Sequence, residues 1–128
     1  MIHPDHAFHA YADRLAAQND AFRRDACLGL DVDPALPGRL VVSGTVRDMG
    51  PAFLRACLDA VGRFDDFPRD ADPEGYRNCG SVEVEGRTVW FKIELSDAPE
   101  GGGTDASGRP VDAFRTLHVL FAADWLHW

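Results

Sequence analysis

The sequence predicts an α+β fold: one domain over residues 1–128, with a mainly antiparallel sheet of about four strands and two helices packed on one face. Apolar and polar residues alternate between Cys79 and Asp97, which is typical of paired strands. Apolar residues recur at helical spacing in two earlier segments, about 6–25 and 51–64. A chain of 128 residues, 45% of them hydrophobic, can bury a core without disulfides or a structural metal.

The two predicted helices are recognised by different signals. Phe8, Leu15 and Phe22 fall on one face at helical spacing and define the first helix. Gly50-Pro51 begins the second, because proline is preorganised for the first helical position and its missing N–H is not needed there. The buried stripe of the second helix is predicted to consist of Leu54, Cys57, Leu58, Val61 and Phe64.

A β-hairpin over residues 79–97 is the centre of the predicted sheet. Val82 and Val84 alternate with glutamates, and Glu85-Gly86 then offers a tight turn. A second alternating run follows over residues 88–95. These patterns predict a hairpin with one apolar face, which the helices cover, and one polar face.

Two further strands complete the predicted sheet. A short strand is expected at Leu40–Val46, weakened or bent by Gly44. Residues 114–125 are apolar on both faces and favour a strand buried on both sides, although a terminal helix fits them less well. Glycine, proline and charge predict flexible connections at about 29–38, 65–78 and 98–110.

The charge balance and the cysteines bear on where the protein acts and what it binds. Its formal net charge is −8, so direct binding to nucleic acid or to an anionic membrane is disfavoured, and a charged partner should present a basic protein surface. Cys27, Cys57 and Cys79 are odd in number and form no Cys-x-x-Cys pair, which favours a reducing compartment. No signal peptide or spanning apolar run is visible, so we expect a cytoplasmic protein.

A histidine repeat near the start of the chain has two interpretations. His3, His6 and His9 recur every third residue, a spacing that can place metal ligands on one helix face. The segment includes Pro4 and has no obvious second group of ligands, so a frayed helix start is favoured. We therefore predict neither a metal nor a cofactor.

The cysteines offer a possible nucleophile. Cys27 follows Arg23 and Arg24, which can lower the pKa of a thiol, and His118 or His127 could complete a Cys–His pair. No nucleophile signature surrounds any cysteine, so a small buried hydrophobic side chain is the favoured interpretation. No residue is predicted to be catalytic.

An acidic segment after the second helix is the strongest binding candidate. Residues 65–74 carry five carboxylates and one arginine, without the spacing of a calcium-binding loop. Trp90 stands on the polar hairpin face, where either a loop covers it or a partner binds, because tryptophan is enriched at interface centres. The predicted partner-binding residues are Asp65, Asp66, Asp70, Asp72, Glu74, Glu83, Glu85 and Trp90.

Short motifs follow one another along nearly the whole chain. Asn19-Asp20 with Arg23 stands in the first helix, and Phe64-Asp65 with Phe67 ends the second. The later motifs are Asp72, Pro73, Gly75 and Gly80, then Lys92-Ile93-Glu94 with Asp97, and last Arg115, Leu117 and Ala122–Trp125. In order and spacing they resemble a family of small bacterial proteins of unknown function that occur often on plasmids and in phage-derived regions.

One motif departs from that family's pattern. Where the family has Glu-His-Asp-Phe, this chain has Tyr76-Arg77-Asn78-Cys79. An acid, base or ligand role of those polar residues is therefore not carried over to this chain. The departure favours a protein that acts by binding and not by catalysis.

Residues and resemblance together predict an acidic inhibitor of the anti-CRISPR or anti-restriction type. Carboxylates on a rigid scaffold can replace phosphates in the basic groove of a nucleic-acid-binding host defence complex. One alternative is a small enzyme with a site between residues 72–80 and the polar hairpin face, using Glu94, Arg77 and His118. The other is a regulatory homodimer through the C-terminal strand and Trp125–Trp128.

Overall fold

A computed structural model describes residues 4–97 and 113–127, with side chains over 11–96 and 113–125. The elements in chain order are α1 (Pro4–Leu28), β1 (Gly38–Val42), α2 (Gly44–Arg47), α3 (Pro51–Gly62), β2 (Cys79–Val84), β3 (Arg87–Asp97), β4 (Ala113–Phe121) and a 3₁₀ helix (Ala122–His127). They form one four-stranded sheet with helices packed against it, so the predicted α+β class is confirmed.

The sheet has the strand order β1-β4-β3-β2, and its only parallel pair is β1 with β4 among the described strands. The predicted hairpin is β2 and β3, with Val84 opposite Arg87 at its closed end. Glu85 and Gly86 between them have φ values of 51° and 80°, as a two-residue type I′ turn requires. The order leaves β2 and β1 as the two edges of the sheet.

The hydrophobic core lies between the sheet and the two long helices. Phe22 of α1 and Val61 of α3 are buried against the inner sheet face, where Phe91, Leu117 and Val119 are fully buried. Each such side chain contributes about 1.5–3 kcal/mol when it leaves water. The inner face therefore fixes the positions of both helices.

The short strand is shorter than predicted because a helix begins directly after it. Val46 was expected in the strand but lies in α2, where it is fully buried. The side chain of Ser43 caps this helix by accepting from the N–H of Val46 at 3.3 Å. A capping serine followed by Gly44 therefore ends the strand at Val42.

The last strand is also shorter than predicted, and it ends in a 3₁₀ helix. The strand stops at Phe121 and not at Trp125. The Asp124 carboxylate accepts from the N–H of Phe121 and from the Ser43 hydroxyl, both at 2.9 Å, which ties the turn back to β1. The 3₁₀ helix thereby brings Trp125 over the outer face of the sheet.

The predicted connections differ in how much of them the structure describes. Residues 98–110 lie outside the described residues. Within 29–38, Leu36 is buried, and its N–H donates to the carbonyl of Asp33 at 2.8 Å. Among the residues that the structure describes, no helix has the length and apolar character of a membrane span.

Gly80 offers a test of how closely the core packs beneath β2. A Cβ at Gly80 would lie 2.8 Å from ring atoms of both Phe64 and Phe91, whereas a Cβ at Gly44 meets nothing within 4 Å. We expect Gly80→Ala to lower the free energy of unfolding by about 1–3 kcal/mol, because overpacking forces these rings to move. Urea denaturation of both variants checks this, and a Gly44→Ala change as large as that of Gly80→Ala would contradict it.

Candidate functional site

The acidic segment 65–74 exposes most of its predicted binding residues. The exposed carboxylates are those of Asp65, Asp66, Asp70 and Glu74. Asp72 is half-buried. Its Oδ1 accepts from the N–H of Tyr76 and its Oδ2 accepts from the N–H of Arg77, both at 3.1 Å. Asp72 therefore shapes the segment, while the other four carboxylates face solvent.

Aromatic packing holds the start of this segment against the sheet. The rings of Phe64 and Phe67 contact edge to face with centroids 4.9 Å apart. Both rings also pack on Phe91 of β3, at centroid distances of 5.2 and 6.2 Å. The acidic segment consequently begins on the buried inner face of the sheet and is not a free linker at that end.

Arg23 of α1 is buried at the centre of this arrangement, with 2% of its surface exposed. Its Nε donates to the carbonyl of Val61 at 3.1 Å, and its Nη2 donates to the carbonyl of Phe64 and to Asp20, both at 2.8 Å. The guanidinium also stacks on Phe67 and Phe91, with centroid distances of 5.2 and 5.3 Å. One side chain therefore joins α1, the end of α3 and the acidic segment.

A second pair of contacts fixes the other end of the segment. Arg77 has a φ of 55°, a conformation that costs a non-glycine residue about 1–3 kcal/mol unless its surroundings impose it. The N–H of Arg77 donates to the Asp72 carboxylate, and Nη1 of Arg77 donates to Asp20 at 2.8 Å. Asp20 thus bridges Arg23 and Arg77, and through them both ends of the acidic segment.

Asn19 extends this network to the last strand. It is almost fully buried, and its Nδ2 donates to the carbonyl of Tyr76 at 2.9 Å. Its Oδ1 accepts from Nε of Arg115 at 2.9 Å, and Gln18 accepts from the same guanidinium at 3.0 Å. Burial lowers the pKa of Arg115, although the change leaves an arginine charged near neutral pH. The network therefore spans α1, β4 and the segment before β2.

The remaining predicted carboxylates lie toward the other end of β2. Glu83 and Glu85 are exposed, and Glu83 accepts a hydrogen bond from the Thr88 hydroxyl. Six residues of strand cover about 20 Å at about 3.3 Å each. Asp72 precedes the strand and Glu85 follows it, so these two carboxylates flank β2 at opposite ends.

Trp90 is not grouped with the acidic segment. It points to the outer face of the sheet, opposite the face on which Phe91 contacts Phe64 and Phe67. It is half-buried, and the Trp125 ring contacts it edge to face at 6.0 Å. The Trp125 ring therefore provides a cover for Trp90 from within the chain, which the sequence had left open as one of two interpretations.

The residues of the enzyme alternative lie on two different faces. Nε2 of His118 is 3.6 Å from Glu94 on the outer face. Arg77 pairs with Asp20 and lies over Phe67, on the helix side of the sheet. Burial lowers the pKa of His118, and the nearby Glu94 carboxylate opposes that shift. The structure therefore keeps the His118–Glu94 contact of that alternative but separates Arg77 from it.

A cleft of about 260 Å³ lies beside His118 on the outer face. Its lining includes Val41, Ser43, His118, Val119, Leu120 and Asp124. Although serine, histidine and aspartate meet here, the Ser43 hydroxyl donates to Asp124 at 2.9 Å and not to His118. A serine nucleophile needs the base within hydrogen-bond reach of its hydroxyl, so this trio is not arranged for nucleophilic catalysis.

The three thiols are not activated. Burial raises the pKa of Cys27 to about 12, although Arg23 acts in the opposite direction, and burial raises the pKa of Cys57 to about 11. Burial also raises the pKa of Cys79. Arg23 does act to lower the pKa of Cys27, but loss of solvent outweighs its positive charge, and Cys27 is a small buried side chain, as the favoured interpretation had it.

The side chains of His3, His6 and His9 lie outside the described residues. Within residues whose side chains are described, no group of three histidine, cysteine or acidic residues is arranged to hold a metal ion.

The part of the chain from the last residue of β1 into the 3₁₀ helix matches a known family. The family model is described as "Protein of unknown function (DUF3768)", and it matches residues 42–124, more than half of the chain. The chain belongs to this family. No curated protein and no solved structure matches it. The resemblance to a family of unknown function is confirmed, while the setting of that family on mobile elements stays a prediction.

The DUF3768 match covers the acidic segment, the hairpin and β4, but it does not cover α1. Asn19, Asp20 and Arg23 therefore lie outside the matched residues. Their sequence signal was the Asn-Asp-x-x-Arg motif on the predicted first helix, which gave no indication of what the side chains contact. Arg23 and Arg77 are consequently residues whose structural role sequence reasoning missed.

Arg23 and Arg24 are adjacent arginines that differ in burial, so they provide a matched pair for testing the network. We expect Arg23→Met to lower the free energy of unfolding by about 3–5 kcal/mol, because it leaves Asp20 and two carbonyls without their buried partner. The Arg24 side chain is 56% exposed and pairs only loosely with Asp25, at 3.4 Å. Arg24→Met should therefore change the free energy of unfolding by less than about 1 kcal/mol. Equal losses in urea denaturation would contradict the role given to Arg23.

Cys27 should make stability depend on alkaline pH. Its folded pKa is raised to about 12 from an ordinary value of 9.0, so its contribution is fully present below pH 9 and is lost as the pH rises from 9 toward 12. Between pH 8.5 and 10 we expect the wild-type free energy of unfolding to fall by about 1 kcal/mol more than that of Cys27→Ala. If the free energy of unfolding falls equally with pH in wild type and Cys27→Ala, burial does not protect this thiol from ionisation.

Proposed function

We propose that this DUF3768 protein is a non-catalytic binding protein that docks its carboxylates on a basic protein surface. The proposed contacts are Asp65, Asp66, Asp70, Asp72, Glu74, Glu83 and Glu85, with Trp90 as an apolar contact on the outer face. The observation that carries the proposal is that four carboxylates are exposed on a segment whose two ends are fixed by hydrogen bonds of Arg23 and Arg77.

Preorganisation is the physical reason why fixing the two ends of the acidic segment favours binding. A free loop loses conformational entropy when a partner orders it, and this loss subtracts from the affinity. Here Phe64 and Phe67 pack on the sheet, and Asp20 bonds both Arg23 and Arg77. The segment is thus held in place before any partner arrives, and its negative charge also accelerates the encounter with a basic surface.

The partner class we propose is a nucleic-acid-binding complex of host defence, of the restriction or CRISPR type. Such a complex has a basic groove that normally holds phosphates, and carboxylates at fixed positions can occupy it in their place. The net charge of −8 supports this choice, and so would the predicted setting of the family on mobile elements. The protein would then act as an inhibitor by charge mimicry.

A small enzyme is the second candidate, and the 3.6 Å contact of His118 with Glu94 beside the cleft is the observation in its favour. The arrangement lacks Arg77 and an activated thiol. The other predicted alternative is a regulatory homodimer through the C-terminal strand and Trp125–Trp128. Since β4 is paired on both edges, by β1 and β3, a dimer would have to use another edge or a face of the sheet.

Competition with labelled nucleic acid tests the inhibitor proposal. Purified restriction and CRISPR complexes of the natural host are loaded with fluorescent nucleic acid, and the protein is added while anisotropy is followed. We expect the protein to displace the nucleic acid from at least one complex. The variant Asp65→Lys, Asp66→Lys, Asp70→Lys, Glu74→Lys should act at least about tenfold more weakly, because close charge pairs across an interface contribute more than about 1.4 kcal/mol in total.

A control variant separates position from net charge. Asp13, Asp31, Asp48 and Asp59 are also exposed, and changing them to lysine alters the net charge by the same amount. We expect this control variant to displace nucleic acid less than about threefold more weakly than the wild type, because it loses only long-range electrostatic attraction. Equal losses in the two variants, or no displacement from any complex, would contradict the proposal.

A further inference from the structure

Strand β2 presents an open edge of the sheet. It is the last strand in the order β1-β4-β3-β2, and β3 pairs with only one of its sides. The carbonyl of Asn78 accepts from the N–H of Ile93 at 2.7 Å, so Asn78 and the alternate residues after it bond to β3. The N–H and C=O groups of Cys79, Ser81 and Glu83 therefore face the other way, and no backbone group of residues 4–97 and 113–127 forms a hydrogen bond with them.

The edge at β1 is different. At the end of β1, the carbonyl of Val42 accepts from Nε of Arg47 at 3.3 Å. The first residues of α2 follow directly. Part of the β1 edge is thus closed within the chain, whereas three consecutive outward residues of β2 are open.

Carboxylates surround the open edge. Glu83 lies on the strand itself, and Glu85 lies in the turn that follows it. At the start of the strand, burial raises the pKa of the Cys79 thiol, the Lys92 charge opposes this rise and the Asp72 charge adds to it. Lys92 itself lies 3.8 Å from the Glu94 carboxylate. The exposed acidic segment immediately precedes this end. A strand that approaches the edge therefore meets negative charge at both ends.

We infer that β2 binds an extended basic segment of a partner protein, which joins the sheet as a fifth strand. The inference deepens the proposed function and depends on it, since the acidic surface supplies the long-range attraction. Three outward residues offer three donors and three acceptors, about six hydrogen bonds in a fully formed pair. Backbone pairing gives affinity, and alternate lysine or arginine side chains of the segment face Glu83 and the flanking carboxylates.

A second copy of this chain fits the edge less well. Pairing two β2 strands antiparallel would bring two acidic segments and two pairs of glutamates together, on protein chains that each carry a net charge of −8. Like charges placed across an interface are unfavourable. Charge complementarity therefore selects a basic segment, and glutamates on the edge also guard it against self-association.

A designed peptide tests this inference on the intact protein. The probe is a blocked seven-residue peptide of alternating lysine and valine, titrated into ¹⁵N-labelled protein. We expect binding that weakens as salt rises, with new protection from hydrogen exchange at the amides of Cys79, Ser81 and Glu83. A peptide with aspartate in place of lysine should bind at least about tenfold more weakly.

Backbone methylation of the peptide separates strand pairing from simple charge attraction. One peptide is N-methylated on its lysine nitrogens and another on its valine nitrogens, so that each blocks one edge of the extended peptide. We expect one of the two to bind as well as the parent and the other at least about tenfold more weakly, because only one edge faces β2. Equal binding by both, or protection at other amides, would overturn the inference.

Three further outcomes distinguish the fifth-strand inference from its alternatives. Protection of the same three amides that grows with protein concentration, without peptide, would show that the edge takes a second copy and would overturn the basic-segment inference. If the four lysine substitutions in the acidic segment abolish displacement of nucleic acid but the two methylated peptides bind equally, the proposed function stands and the fifth-strand inference fails. If the methylated peptides differ but no complex is inhibited, the edge binds as inferred and the proposed defence partner is wrong.

Discussion

The buried guanidinium of Arg23 joins the first helix to the segment that precedes β2, and the arrangement of the acidic surface depends on it. A charged group without water is costly, so it persists only when several acceptors surround it. Arg23 has the carbonyls of Val61 and Phe64, the Asp20 carboxylate and two aromatic faces. These partners come from α1, the end of α3, the acidic segment that follows it and strand β3. The geometry that satisfies Arg23 is consequently the geometry that positions residues 65–77.

This constraint links the fold to the proposed mode of action. The inner face of the sheet supplies an apolar floor, on which Phe64 and Phe67 rest. Asp20 and Asp72 then hold Arg77 in a left-handed conformation, and the chain enters β2 at a fixed position. Exposed carboxylates and an open strand edge are thereby presented next to each other. No group in this arrangement needs to react, which is consistent with thiols that burial keeps protonated.

Sequence patterns predicted the parts of the fold that depend on local periodicity. Alternation and the Glu85-Gly86 turn predicted the hairpin, and Pro51 predicted the start of α3, because each is a local backbone preference. The end of β4 was missed, since the Asp124 carboxylate that turns the chain acts on Ser43, far away in sequence. The roles of Arg23 and Arg77 were missed for the same reason: their partners are carbonyls and rings brought together only by folding.

A binding surface of this kind requires the acidic segment to be rigid before it meets a partner. Backbone ¹⁵N relaxation of the free protein measures this most directly, residue by residue over 65–74. We predict order parameters of about 0.85, equal to those of the hairpin, because Arg23, Asp20 and Asp72 fix both ends of the segment. Order parameters below about 0.6 across the segment would show a flexible loop and would contradict the claim.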